Sequence, residues 1–290
     1  MKSLRNNFLD IDNTNLSQAQ VVIVPFGFEA TTSYGQGTKN GPAAIIKASS
    51  QVELFDEELW QETYKRIKIT TLQEIKPSEN ISAAKKQINK IIFKILGNKS
   101  LPIFLGGEHS ITSFIVEEFK KYFDDFSILQ FDAHADLRDG YLGQKYSHAA
   151  AMRHCLDLEG INLVQIGVRN FSAENDELNF WKKNQNRIKT FWAKDKRNWK
   201  ITEILKGLKK NVYLTFDVDA LDPAIMPSTG TPEPGGLEWY ETLEILRAVA
   251  RNKKIIGADF VELAPIKNLS APDFLVAKLI YKTIGYISNK

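Results

Sequence analysis

The chain has 290 residues, 43% hydrophobic and 25% charged, which supplies enough apolar material for the core of an ordinary globular protein. Its 38 basic and 35 acidic side chains leave a net charge of +3, with the lysines dispersed, so neither nucleic acid nor a membrane surface is an expected partner. No apolar run approaches the ~20 residues that cross a bilayer, MKSLRNNFLDIDN has no leader-like apolar stretch, and Cys155 has no second cysteine to pair with, so the chain is expected to be cytoplasmic.

Short β-branched or apolar runs alternate with longer stretches of helical period, the pattern of a parallel sheet covered by helices on both faces. Strands are predicted at 21–25, 102–105, 127–131, 163–166, 212–216 and 255–259. Several are apolar throughout, as strands buried on both faces are. Ile81, Ala84, Ile88, Ile91, Ile92 and Ile95 recur at helical spacing before Gly97, which stands where a helix-ending glycine belongs. Further helices are predicted at 111–121, 148–158, 237–250 and 272–287. With no linker, repeat or low-complexity segment, residues 1–290 read as a single α/β domain. TTSYGQGTKNGP and PSTGTPEPGG read as long loops at one end of the sheet, where function is often carried.

Polar residues gather just after the predicted strands. Asp132 and Asp217 each follow one directly, and His109 lies four residues beyond Leu105. These are C-terminal strand ends, the edge at which open α/β sheets place their sites. In FDAHAD the residues Asp132, His134 and Asp136 alternate, so an extended backbone turns all three the same way, and Asp217 and Asp219 repeat the spacing. A lone aspartate in such a place is ordinarily a cap or turn residue. Two clusters, a GGEHS turn, and three of the four histidines of the chain in or just after these segments point instead to metal. Four carboxylates at one point repel one another unless cations intervene, and two divalent ions balance them. An oxygen-rich set favours Mn²⁺ over Zn²⁺.

GGEHS, FDAHAD and TFDVDALDP resemble the three metal motifs of the ureohydrolase family, which includes arginase, agmatinase and guanidinobutyrase. PFGFEATTSYGQGTKNGPAAI and STGTPEPGG extend the resemblance over almost the whole chain and look like agmatinase-type sequence. The resemblance implies an arginase-type three-layer α/β/α sandwich around a central eight-stranded parallel sheet. It implies two Mn²⁺ per subunit, one held by His109, Asp132, Asp136 and Asp217, the other by Asp132, His134, Asp217 and Asp219, with Asp132 and Asp217 bridging. It also implies self-association as a homotrimer or homohexamer.

Guanidinium hydrolysis needs a strong nucleophile at neutral pH, which two metals sharing one water can supply. Asp136 is expected to orient that nucleophile. SHA at Ser147–Ala149 resembles the catalytic histidine segment of the family, which makes His148 the expected proton shuttle. Glu262 in DFVELAP matches the position that grips the guanidinium, and Thr231 in GTPEPGG resembles a residue of the same pocket. Asp259 reads as a strand-end cap, His154 as structural or solvated, and Cys155 as a packed thiol. LRDGYLGQKYSH carries no Asn where arginase grips an α-carboxylate and α-amine, and resembles agmatinases instead. Asp139 is the expected partner of a distal ammonium, whereas Arg138 would suit a carboxylate.

The expected substrate is thus a small cationic guanidino compound, first agmatine, giving urea and putrescine. N1-aminopropylagmatine, 4-guanidinobutyrate, guanidine and arginine stay open, since small loop changes decide among them. Two other classes compete. A single-zinc deacetylase of similar fold would need fewer ligands, and a non-catalytic ureohydrolase-like subunit would be expected to lose one, whereas all six stand here.

Overall fold

Period-two alternation inside the first strand, Val21–Phe26 (β1), explains the layering of the molecule. Val21 and Ile23 enter one hydrophobic core while Val22, Val24 and Phe26 enter another, and all five are essentially solvent-free. A strand buried on both faces needs helices on both sides. In this computed structural model, which describes residues 6–289, the remaining strands are Phe55–Asp56 (β2), Gln61–Glu62 (β3), Ile69–Thr71 (β4), Leu101–Gly106 (β5), Phe126–Phe131 (β6), Ile161–Val168 (β7), Ile188–Trp192 (β8), Asn211–Asp217 (β9) and Lys254–Val261 (β10). β2 and β3 form a small antiparallel hairpin. The other eight make one parallel sheet in the order β4-β1-β5-β10-β9-β6-β7-β8.

One face is covered by Gly41–Ser49 (α1), Ile201–Gly207 (α7), Trp239–Asn252 (α8) and Ala271–Ser288 (α9), whose apolar residues share a core with Ile23, Leu129 and Phe216. The short helix Thr63–Arg66 (α2) follows the hairpin and packs on α9. The opposite face is covered by Ile81–Gly97 (α3), Ile111–Phe119 (α4), Ala151–Leu156 (α5) and Glu177–Lys183 (α6). α3 starts where the Asn80 side chain accepts the Ala83 amide, and it buries Ala84, Ile88, Ile92 and Ile95 along one stripe. Each isoleucine so buried contributes about 1.5–3 kcal/mol. α8 opens on a capping box between Glu238 and Glu241, two residues later than its apolar period suggests. The expected helix from His148 begins as a 3₁₀ turn, His148–Ala150, before α5.

All six predicted strands are present, each extended by one to four residues. β4 and β8, the two edges, were not anticipated from sequence: β4 has three residues, and β8 interrupts its apolar residues with Lys189 and Thr190. The sheet order has a functional consequence. After β5 the chain leaves a gap, builds β6, β7 and β8 beyond it, and returns to fill the gap with β9 and β10. Four adjacent central strands, β5, β10, β9 and β6, therefore end side by side, and the polar motifs follow three of them while Glu262 follows the fourth. Among the described residues, no helix is long and apolar enough to cross a membrane.

Candidate metal centre

His109, three residues past the end of β5, is 1% exposed, and its ring nitrogens have different surroundings. Nε2 lies 2.8 Å from the Thr215 hydroxyl, which itself donates to Asp259 at 2.6 Å. Since the Thr215 hydrogen is committed, its oxygen accepts from Nε2–H, leaving Nδ1 as the lone-pair nitrogen of the neutral ring. Nδ1 is buried without a hydrogen-bond partner. It stands 3.0 Å from Asp132 Oδ2, 3.0 Å from Asp136 Oδ2 and 3.4 Å from Asp217 Oδ2. One lone pair against three carboxylate oxygens is repulsive unless a cation lies among them.

The carboxylates are arranged to the same end. Asp217 Oδ1 accepts the Asp219 amide and Asp219 Oδ1 the Ala133 amide, both at 2.9 Å, so each acid is anchored by one oxygen and offers the other. Asp219 Oδ2 reaches 2.9 Å from His134 Nδ1. Asp132 is held from both sides, Oδ1 by the His134 amide at 2.6 Å and Oδ2 by the Gln130 amide group at 2.8 Å. Two groups of converging ligand atoms result, His109–Asp132–Asp217 and Asp132–His134–Asp219, with Asp132 common to both. Asp217 falls in the first group, and Asp136 lies beside it through its contact with His109.

Protonation reflects the crowding. Despite burial, Asp132 is held well below the usual carboxylate range by the positive charge of His109 and His134 when both are protonated, a charge that a cation would supply with both rings neutral. Burial and then the charge of Asp132 raise Asp136 to about 7, and burial and then Asp219 push Asp217 far up. These buried acids cannot all ionise together without compensating cations. Asp136 and Glu262 adopt left-handed backbones, φ 54° and 65°, a cost that non-glycine residues bear mainly where the surroundings over-determine them.

A cavity of about 190 Å³ opens onto these ligands, lined also by Arg138, His148, Thr231 and Glu262. Glu262 is 9% exposed and accepts the His109 amide at 2.6 Å. Burial and then the neighbouring Glu108 raise its pKa well above the usual range, so its anion is unfavourable there unless a cation lies beside it. The His148 amide donates to Thr31 Oγ1 at 3.1 Å, and the ring Nδ1 lies 3.4 Å from the same oxygen. The Thr31 hydroxyl donates to Glu108 Oε1 at 2.8 Å, so Nδ1 can only donate to it, which leaves Nε2 as the basic nitrogen. Burial lowers the His148 pKa to about 4, which keeps the ring neutral near pH 7.

Two expectations change, those for Asp139 and Asp259. Asp139 is exposed and is not among the residues that line the cavity; its turn carries the side chain outward, and its amide donates to Asn175 O at 2.8 Å. The charged side chains at that wall are Arg138, which lies over the Tyr141 ring at 4.5 Å, and Glu177, anchored by the Leu137 and Ser172 amides. Asp259 is no strand-end cap: it is wholly buried within β10 and accepts three hydroxyls. His154 is held by Lys145 O at 2.7 Å and Tyr146, and Cys155 is buried.

Residues that the metal motifs do not mark also shape the site. Glu108, beside His109 in GGEHS, accepts the Ala30 and Thr31 amides and so clamps the TTSYG loop against the centre. Gly107 permits that approach, because a Cβ there would sit 2.0 Å from Phe28 O. Arg169 donates to Asp219 O and Glu233 O, each at 2.7 Å, and joins two site loops. Nothing in the sequence marked Arg169, since its partners are main-chain carbonyls.

Residues 19–285 match the family model described as "Arginase family". The chain belongs to the arginase family. It is 37% identical over 94% of its length, and 90% of the relative's, to the N(1)-aminopropylagmatine ureohydrolase of Synechocystis sp.. It is 31% identical to the agmatinase of Pyrococcus horikoshii, covering 96% of this chain and 95% of that one. The crystal structure of the agmatine ureohydrolase of Thermoplasma volcanium superposes with a TM-score of 0.85 at 26% identity, over 99% and 94% of the two chains. The protein is thus an arginase-family ureohydrolase, an enzyme acting on guanidino substrates, and its fold is the arginase-type sandwich around an eight-stranded parallel sheet.

Proposed function

We propose that the protein hydrolyses the guanidinium of a linear amine-bearing guanidine, N1-aminopropylagmatine or agmatine, to urea and the corresponding amine at two Mn²⁺ ions. The observation that carries this reading is the lone Nδ1 of His109 facing three carboxylate oxygens, with Asp132 shared by a second ligand group. The relatives named for aminopropylagmatine and agmatine support the substrate class, the former at the higher identity.

In this reading His109, Asp132, Asp136 and Asp217 hold one ion, and Asp132, His134, Asp217 and Asp219 the other. When bound, the pair supplies a nucleophile at neutral pH by lowering the pKa of a water. Asp136, hard against the first ligand group, accepts a hydrogen bond from that water and aims it. Glu262 grips the guanidinium from the cavity wall, and Thr231 lines the same cavity. His148 takes a proton at Nε2 and returns it to the departing amine nitrogen as the C–N bond breaks. Assembly as a trimer or hexamer, carried by the family resemblance, belongs to the same proposal and is read by light scattering.

The test is urea release from Mn²⁺-loaded protein across aminopropylagmatine, agmatine, arginine, 4-guanidinobutyrate and guanidine. The highest kcat/KM is expected for one of the first two. Urea from 4-guanidinobutyrate alone would show that Arg138 selects a carboxylate and would overturn the substrate assignment, and urea from none would overturn the reaction.

A further inference from the structure

Beneath the ligands, one layer deeper in the sheet, five polar side chains stand in register on adjacent strands. Thr190 pairs with Gln165, Gln165 with Gln130, Gln130 with Thr215, and Thr215 with Asp259. Gln165, Gln130, Thr215 and Asp259 are completely buried, on the face whose other residues form the core under α3 to α6. A continuous polar row in an apolar layer is costly unless every member is satisfied.

The row divides into two arms. In one, Thr190 donates to Gln165, Gln165 to Gln130, and Gln130 to Asp132, each at 2.8 Å. In the other, Asp259 collects hydroxyls from Thr215 at 2.6 Å, Tyr213 at 2.7 Å and Thr112 at 3.0 Å. Of the three hydroxyls, only that of Thr215 goes on to touch the His109 ring. With its hydrogen drawn to Asp259, the Thr215 oxygen can only accept, and that choice dictates which nitrogen of His109 is left bare.

We propose that Asp259, acting through Thr215, is a positioning residue that holds His109 as the Nε2–H tautomer and thereby sets the affinity of the metal position built on His109, Asp132 and Asp217. The inference rests on the metal reading above. A histidine free to place its hydrogen on Nδ1 would present N–H, not a lone pair, to the cation. Outer partners of this kind typically change metal affinity about 10–100-fold.

The experiment titrates Mn²⁺ into metal-stripped protein, reading free Mn²⁺ by electron paramagnetic resonance to obtain a Kd for each ion. Thr215→Val, close to isosteric, is expected to weaken one ion about 10–100-fold and leave the other within threefold. Thr215→Ser, which keeps the hydroxyl, restores both, and Asp259→Asn follows Thr215→Val. Thr112→Val removes a hydroxyl from Asp259 while leaving the Thr215–Asp259 bond and the His109 ring contact in place, so it lowers thermal stability while both Kd values stay in place. Unchanged Kd values in folded Thr215→Val would overturn the inference, as would equal weakening of both ions or the same loss in Thr112→Val. Fewer than two Mn²⁺ on the wild type would instead overturn the metal reading itself.

Discussion

Stripping the metals should lower the melting temperature by an amount that counts the ions. The two ligand groups draw on residues 109 to 219, from the ends of β5, β6 and β9, so they exist only in the folded chain. Ions that bind only that state stabilise it by mass action, each by about 1.4 kcal/mol per tenfold rise in free concentration above Kd. At about 2.1 cal/mol/K per residue, unfolding 290 residues carries about 0.6 kcal/mol/K, so 1 kcal/mol is worth about 1.6 °C. One ion then raises Tm by about 2.2 °C per decade of free Mn²⁺ and two ions by about 4.5 °C. At a hundredfold excess over both Kd values the total reaches about 5.4 kcal/mol, or about 9 °C. Differential scanning calorimetry in Mn²⁺ buffers spanning three decades measures the slope. Asp132→Asn, which cuts the ligand common to both groups, should flatten it. A wild-type slope near 2 °C per decade would refute a two-ion centre, and no dependence would refute any metal there.

Other outcomes follow from individual residues. His148→Ala should retain both ions, because His148 belongs to neither ligand group, and lose about 10²–10⁴ in kcat; activity within tenfold of wild type removes His148 from proton transfer. Glu262→Gln keeps an acceptor for the His109 amide but loses the charge, for which about 1.5–3 kcal/mol, or 10- to 150-fold in kcat/KM, is expected. An unchanged kcat/KM places the guanidinium elsewhere. Gly107→Ala drives a Cβ to 2.0 Å from Phe28 O and should cost about 3 kcal/mol or more, seen as a fall of about 5 °C or more in Tm. The pH dependence of metal-stripped protein tests the buried state of His148. Its folded pKa of about 4 lies below the ~6.5 of an unfolded histidine, so the unfolded chain takes the proton first. The associated stability is complete above pH ~6.5 and is lost as pH falls towards 4. The wild type should therefore lose more stability than His148→Ala across that window, and parallel curves would contradict it.

The candidate ligands could be read without coordinates because each motif is local to a strand end, but the extended alternation expected there is not what aims them: Asp136 is left-handed and Val218–Ala220 is a 3₁₀ turn. The parallel sheet was legible for a similar reason, since strands buried on both faces must be apolar throughout. What depended on strand order was not. The edge strands β4 and β8 lack that signature, β4 because it is buried but only three residues long and β8 because its edge is half covered and carries Lys189 and Thr190. Asp139 and Glu177 could not be ranked by charge, because a turn at residues 139–144 sends one outward while the loop after β7 brings the other in. Gln130, Gln165, Thr215 and Asp259 look like blemishes in apolar strands until the register sets them in one row. Sequence by itself marked which groups are candidates to bind metal. Only the tertiary structure decided which nitrogen of His109 faces it, because that depends on a hydroxyl and a carboxylate contributed by two other strands, 106 and 150 residues further along the chain.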